Sequence, residues 1–260
     1  MTNPKVDGMI SFEFVSMGER CHGRYLLANR HAPVVLMATG GGKRGSLSDT
    51  WKNLTRRLKI NGISSIVFDF AGQGYSQGDR RYLTLTKGVQ NLTDILNHVL
   101  EWDWIREDRL ALLGSSYGGN VVLDYLASDN AINIRGASFK SPCIDLRESY
   151  LQELGEEGMK AWQESGYSEE TGLSWQVIED ADASDLITRL GKITVPLLIT
   201  HGVADESVPI SQSRLVRDRV KGVADLLEMT GTDHHYSDRD DWDRMAAVHV
   251  GWLRQLFRMS

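Results

Sequence analysis

Apolar runs rich in β-branched residues recur along the chain near residues 10–14, 24–28, 33–38, 64–69, 109–113, 134–139, 195–200 and 224–229. Between them lie stretches with helical periodicity, near 47–59, 88–102, 117–127, 211–220 and 238–257. Strands alternating with amphipathic helices predict an α/β fold: a mostly parallel eight-stranded sheet with helices on both faces. No helical stretch separates the first two runs, so they are expected to form an antiparallel hairpin at one end of the sheet. One interval is too long for a single crossover helix. Residues 144–186 therefore read as an insertion, a small helical cap on a core made of residues 1–143 and 187–260.

The totals narrow the function. A chain of 260 residues with 41% hydrophobic and 25% charged side chains buries a core without staples. A formal charge of −6 argues against a nucleic-acid surface. No apolar run reaches the roughly 18 residues of a membrane span. The opening "MTNPKVDGMISFEF" lacks the basic-then-apolar pattern of a signal peptide, so a soluble cytoplasmic protein is expected. Cys21 and Cys143 are too few for a disulfide framework or a zinc site and read as reduced, buried residues.

Two stretches carry chemistry. In "LALLGSSYGGN" the pentapeptide Gly114-Ser115-Ser116-Tyr117-Gly118 matches G-x-S-x-G with Ser116 central. It follows an apolar strand and opens a helical stretch, the strand, tight turn and helix that hold a nucleophilic serine clear of a sheet, with the N–H of Tyr117 aimed at the same space. A serine hydroxyl needs a base, and the base an orienting carboxylate. Downstream, "LLITHGVADESVP" ends a strand and offers Asp205, with Glu206 beside it. "LLEMTGTDHHYSD" ends the last strand and offers His234, flanked by Asp233 and His235. His201 reads as a structural hydrogen-bonding residue, and His22, His31, His98 and His249 as surface or core residues.

The second stretch is "VVLMATGGGKRGS", residues 34–46, where Gly40, Gly42 and Gly45 fit G-x-G-x-x-G. Two jobs are open to it: cradling a dinucleotide pyrophosphate, with Asp69 near the distance expected of a ribose-binding acid, or aiming backbone N–H groups at a developing oxyanion. Two strands precede the loop, which counts against the cofactor.

With "TGGG", "DFAGQGYSQG" (69–78), "GSSYGG", "HGVADESVP" and "GTDHHYS" in order, the sequence resembles the α/β-hydrolase family. It is most similar to the cinnamoyl (feruloyl) esterase, lysophospholipase-like and serine-aminopeptidase-like groups, over residues 34–257. The resemblance implies Ser116 as nucleophile, Asp205 as acid and His234 as base. It aligns Gly41 with the second oxyanion-hole donor beside Tyr117, although Thr39 stands where the family usually has His, which leaves Gly40 open as the donor. It implies no cofactor and no metal, and as partner a small-molecule acyl substrate. Ester hydrolysis through an acyl-enzyme is expected first, thioester or aminoacyl-amide hydrolysis next. A lyase or a non-catalytic binding protein on the same fold is the remaining alternative.

The 144–186 segment holds twelve acidic side chains and only Arg147 and Lys160 as bases, net −10 against about +4 for the remainder. Acid facing the site would disfavour anionic substrates. Tyr150, Trp162, Tyr167 and Trp175 are candidates to line an acyl pocket, or to pack the segment onto the body.

Overall fold

The computed structural model describes residues 5, 6 and 8–259; residues 1–4 and 7 of the N-terminal stretch lie outside them. The eight predicted runs pair into one sheet, joined at its edge by a two-residue strand. The strands are β1 (Lys5–Val6), β2 (Met9–Ser16), β3 (Glu19–Leu26), β4 (Val34–Ala38), β5 (Ser64–Phe68), β6 (Leu110–Ser115) and β7 (Ala137–Lys140). Strands β8 (Tyr167–Ser168) and β9 (Leu173–Ser174) form a separate hairpin, and β10 (Leu197–Gly202) and β11 (Ala224–Met229) complete the sheet. Its order is β1-β2-β3-β5-β4-β6-β7-β10-β11. From β5 through β11 all neighbours run parallel, while β1, β2 and β3 pair antiparallel.

The predicted N-terminal hairpin turns at Met17 and Gly18, both with positive φ (51° and 81°). This is the two-residue loop whose twist matches that of the flanking strands. Strands β4 to β7 are buried on both faces, as crossover helices require. Their side chains alternate accordingly. Leu36, Phe68 and Leu112 pack under α2 (Leu85–Leu100) and α3 (Tyr117–Leu126), while Val35, Met37 and Val67 meet α1 (Asp49–Ile60) and α8 (Arg239–Leu256).

Boundaries moved where local hydrogen bonds decided them. Helix α2 starts three residues before its predicted position because the Thr84 hydroxyl caps it, accepting from Lys87 N–H. Strand β7 starts at Ala137 instead of 134 because Ile134 N–H closes a tight turn on Ile132 O. Residues 144–186 form α4 (Leu146–Ser165), the β8–β9 hairpin, α5 (Gln176–Ala183) and the start of α6 (Leu186–Arg189). The helical run thus continues past 186, where Arg189 pairs with Asp124 of α3. Gly155 (φ 69°, ψ 177°) breaks α4 into two pieces. Met159, Trp162, Leu173 and Val177 join the α2/α3 side of the core. Helix α7 (Ile210–Arg219) follows β10. Among the described residues no helix is long and apolar enough to cross a membrane.

Candidate active site

The turn between β6 and α3 is set by its glycines. A Cβ on Gly114 would stand 2.6 Å from Gly118 O, one on Gly118 2.3 Å from Thr39 O, and one on Gly119 2.7 Å from Pro142 Cβ. Only glycine lets strand, helix and the loop after β4 approach so closely. Between them Ser116 is held at φ 51°, ψ −120°, a conformation that costs on the order of 1–3 kcal/mol for a non-glycine residue. Hydrogen bonds over-determine it. Its N–H donates to Lys140 O, and its carbonyl accepts from Gly119, Asn120 and Cys143 N–H. The Tyr117 ring points away from the turn, its hydroxyl donating to Thr84 O on the approach to α2 at 2.7 Å. Its main-chain N–H is one of the orphan donors of a helix start.

Asp205 follows β10 and is held by the turn it stabilises. Oδ1 accepts from Ser207 N–H (3.0 Å) and Val208 N–H (2.8 Å), and Oδ2 lies 2.7 Å from His234 Nδ1. An ionised carboxylate only accepts, so Nδ1 carries the proton and His234 Nε2 is left as the basic nitrogen. His201 completes the arrangement. Its Nε2 lies 2.9 Å from Val208 O and 3.3 Å from Asp205 Oδ2, and its Nδ1 lies 2.6 Å from Ser213 Oγ. Because a carbonyl accepts, that Nε2 is the protonated nitrogen. Burial alone would raise the Asp205 carboxyl, but the hydrogen bonds from His201, His234 and Val208 N–H outweigh it and hold it far below the ordinary carboxylate range. Burial pushes the His234 imidazole down. The Asp205 hydrogen bond opposes this and Lys140 adds to it.

Ser116, Tyr117, Gly41 and His234 line one cavity of about 400 Å³, and Asp205 sits behind His234. The predicted positions are thus brought to one place by four strand ends, those of β4, β6, β10 and β11. The competitors lie elsewhere or are otherwise engaged. Asp233 Oδ1 accepts from Ser237 N–H, Glu206 is exposed, and His235 stands on the cavity rim beside His234. Of the four aromatic candidates, Tyr150 lines the cavity. Trp162 and Trp175 do not: Trp162 packs edge-on between Tyr150 and Trp175 and donates its indole N–H to Leu173 O, so both indoles pack residues 144–186 onto the α2/α3 side of the core. Tyr167, on the β8–β9 hairpin, is also absent from the lining. Among the acidic side chains of the segment, Glu153 reaches the cavity, its carboxyl raised by burial with Glu170 adding.

The cofactor reading of the glycine loop is excluded by Asp69. Its carboxylate is fully buried, accepting from Ser46 N–H at 2.5 Å and Tyr75 N–H at 3.2 Å. Gly45 and Gly74 make room for it, since a Cβ on either would fall within 2.3 Å of a carboxylate oxygen. Asp69 clasps two loops and is closed to a ribose. Three polar residues escaped the sequence reading: Gln73, which lies inside the 69–78 stretch without a role assigned to it, and Arg80 and Lys140, which no motif flags. Lys140 ends β7, is buried, donates to His234 O at 2.7 Å and stands 4.5 Å from the centre of the Tyr236 ring. Burial lowers its pKa to about 8, with Asp205 and Asp233 opposing.

Residues 57–260 match the sequence profile of the prolyl oligopeptidase family. The chain is 27% identical over 207 residues to palmitoyl-protein thioesterase ABHD10, mitochondrial, of Pongo abelii, across 74% of this chain and 66% of that protein. It spans about two thirds of the length of that curated relative. Its structure matches Est1E of Butyrivibrio proteoclasticus with bound ferulic acid at a TM-score of 0.80 and 19% identity, covering 95% of this chain and 99% of that one. It matches mouse alpha/beta hydrolase domain-containing protein 10 at a TM-score of 0.75 and 19% identity, covering 95% and 99%. At these identities the two structures establish the fold, which is that of an α/β-hydrolase.

Proposed function

The chain belongs to the prolyl oligopeptidase family of α/β-hydrolases, and on that footing we propose that it is a serine-triad acyl hydrolase. The carrying observation is the 2.7 Å contact between Asp205 and His234, with His234 and the strained Ser116 on one cavity wall. Ser116 Oγ attacks the acyl carbonyl while His234 Nε2 takes its proton. Asp205 keeps the imidazole in the required tautomer and stabilises the imidazolium. The N–H groups of Gly41 and Tyr117 receive the oxyanion. The imidazolium then protonates the leaving group, and a water activated by His234 releases the acid.

The substrate we propose first is a neutral carboxylic ester with a small or aromatic acyl group, held against Tyr150 under a cap formed by residues 144–186. Glu153 on the cavity wall supports discrimination against anionic acyl groups. A thioester is the second reading, favoured by the similarity to a protein named as a thioesterase. The buried free thiols Cys21 and Cys143 fit the reducing cytoplasm.

A fluorophosphonate probe should label the wild-type enzyme at Ser116 and leave Ser116→Ala unlabelled. Ser116→Ala should also lose on the order of 10³-fold or more of kcat. A parallel panel of p-nitrophenyl esters, acyl thioesters and aminoacyl amides ranks the leaving groups. Labelling at another residue, or undiminished hydrolysis by Ser116→Ala, overturns the triad.

A further inference from the structure

The loop proposed to hold the oxyanion is Thr39-Gly40-Gly41-Gly42. Three consecutive glycines carry no conformational preference of their own that would aim an N–H, and electrostatic catalysis depends on donors fixed before the charge develops. The direction must come from outside the loop. Two side chains supply it. Gln73, fully buried, donates its carboxamide N–H to Gly40 O at 2.8 Å and accepts from the Thr39 hydroxyl at 2.9 Å. Carbonyl and N–H of one trans peptide point in opposite directions, so Gln73 fixes the plane that carries Gly41 N–H. Arg80 fixes the next plane, its Nε donating to Gly41 O at 2.9 Å.

The other arm of the same guanidinium leaves the core. Arg80 Nη1 donates to Thr171 O at 2.9 Å and Gly172 O at 3.3 Å, in the turn of the β8–β9 hairpin. Gly172 (φ +66°) is close enough that a Cβ there would stand 3.1 Å from that nitrogen. One rigid, planar side chain therefore spans the oxyanion loop and the inserted segment. Its hydrogen bonds to three main-chain carbonyls orient those groups without neutralising them.

We propose that Arg80 is a positioning residue that couples the seating of the β8–β9 hairpin to the placement of Gly41: by holding the Gly41–Gly42 peptide it pins the Cα at one end of the Gly40–Gly41 plane, and with it the N–H that plane carries. The oxyanion hole is then fully formed only when the cap is in place. Gln73 sets the tilt of the plane that carries Gly41 N–H, and Arg80 makes the position of its Cα end conditional on the hairpin. This rests on the proposed role of Gly41 as an oxyanion donor.

The test compares wild type with Arg80→Met, Arg80→Lys and Gly172→Ala on p-nitrophenyl butyrate. A phenyl trifluoromethyl ketone serves as tetrahedral mimic and the corresponding methyl ketone as ground-state control. Arg80→Met should lose about 10²-fold in kcat, the scale of one misaligned oxyanion donor. KM should stay within about threefold, and affinity for the trifluoromethyl ketone should fall by a factor close to the kcat loss, with the methyl ketone unaffected. Arg80→Lys reaches one side only and should fall between the two. Gly172→Ala, which leaves the oxyanion loop intact, should lower kcat in the same sense by severalfold. If trifluoromethyl ketone affinity is unchanged in folded Arg80→Met and Arg80→Lys, or Gly172→Ala matches wild type, the coupling is overturned while the hydrolase reading stands. Failure of the wild-type enzyme to bind the trifluoromethyl ketone overturns both.

Discussion

Asp205→Asn is the sharpest perturbation of the site because the surrounding hydrogen bonds dictate which way the amide must lie. Oδ1 accepts from two main-chain N–H groups, those of Ser207 and Val208. The asparagine therefore keeps its carbonyl oxygen there and turns its NH2 towards His234 Nδ1, where the wild type has an acceptor 2.7 Å away. The imidazole can meet a donor only by shedding its Nδ1 proton, so it takes the opposite tautomer and presents Nε2–H to Ser116. A base already carrying its proton cannot accept another. The loss of kcat should be on the order of 10⁴, about 5 kcal/mol of transition-state stabilisation. The same NH2 also faces His201 Nε2–H, which sits 3.3 Å from Oδ2 in the wild type. This donor-to-donor conflict in a buried site should remove about 1–3 kcal/mol of folding stability. Single-turnover hydrolysis of p-nitrophenyl acetate measures the first effect, urea unfolding the second, and imidazole ¹⁵N shifts report the tautomer. A variant within about tenfold of the wild-type rate, or one retaining a protonated Nδ1, would refute this account of Asp205.

Three further outcomes are expected. Because burial lowers the His234 pKa and the neutral ring is the proposed base, kcat/KM should fall with acid through a midpoint below 6.5, and a midpoint above 6.5 would contradict the burial argument. Lys140→Met removes both a cation that lowers that pKa and the donor to His234 O, so the acid limb should move to higher pH and kcat should drop about tenfold or more. His249 is held neutral by burial, with Lys140 adding, and its pKa lies at about 3. The unfolded chain therefore binds the extra proton below about 6.5, and stability is lost as pH falls from there towards about 3, by about 2 kcal/mol between pH 7 and pH 5. Urea unfolding of His249→Leu at the two pH values should show that much less pH dependence than wild type, and parallel behaviour would refute the assignment.

The layers and the candidate residues were legible because each is written locally. Gly114 and Gly118 are demanded by one close approach, and Asp205 and His234 each stand just past an apolar strand. The stretch around Asp69 was ambiguous because glycines that admit a phosphate and glycines that admit a buried carboxylate leave the same spacing; only Asp69's burial separates them. Of the four candidate pocket aromatics, Tyr150 lines the cavity and the other three do not. Trp162 and Trp175 satisfy each other and Leu173 within the inserted segment, and a sequence does not tell which face of a tryptophan a helix presents. Gln73, Arg80 and Lys140 act on main-chain carbonyls far away in sequence, and such contacts leave no pattern to read.

Sheet order explains why Lys140 is needed. In the series β6-β7-β10-β11, Ser115 lies opposite Lys140 and Lys140 opposite Thr200, while β10 and β11 run two residues further, to Gly202 opposite Met229. Parallel neighbours are spaced by about 4.8 Å, so β11 lies roughly 14 Å to the side of β6. A histidine carried straight off β11 could not approach a serine on β6. The loop after β11 must fold back across β10, and its main chain then needs an anchor over β7, one strand from Ser116. Lys140, the last residue of β7, supplies it by donating to His234 O. Without that donor the carbonyl would lose its side-chain partner and the buried ammonium its acceptor, so the folded-back loop and Lys140 stabilise each other. The convergence of the proposed acid, base and nucleophile therefore depends on a cation that belongs to none of the three motifs.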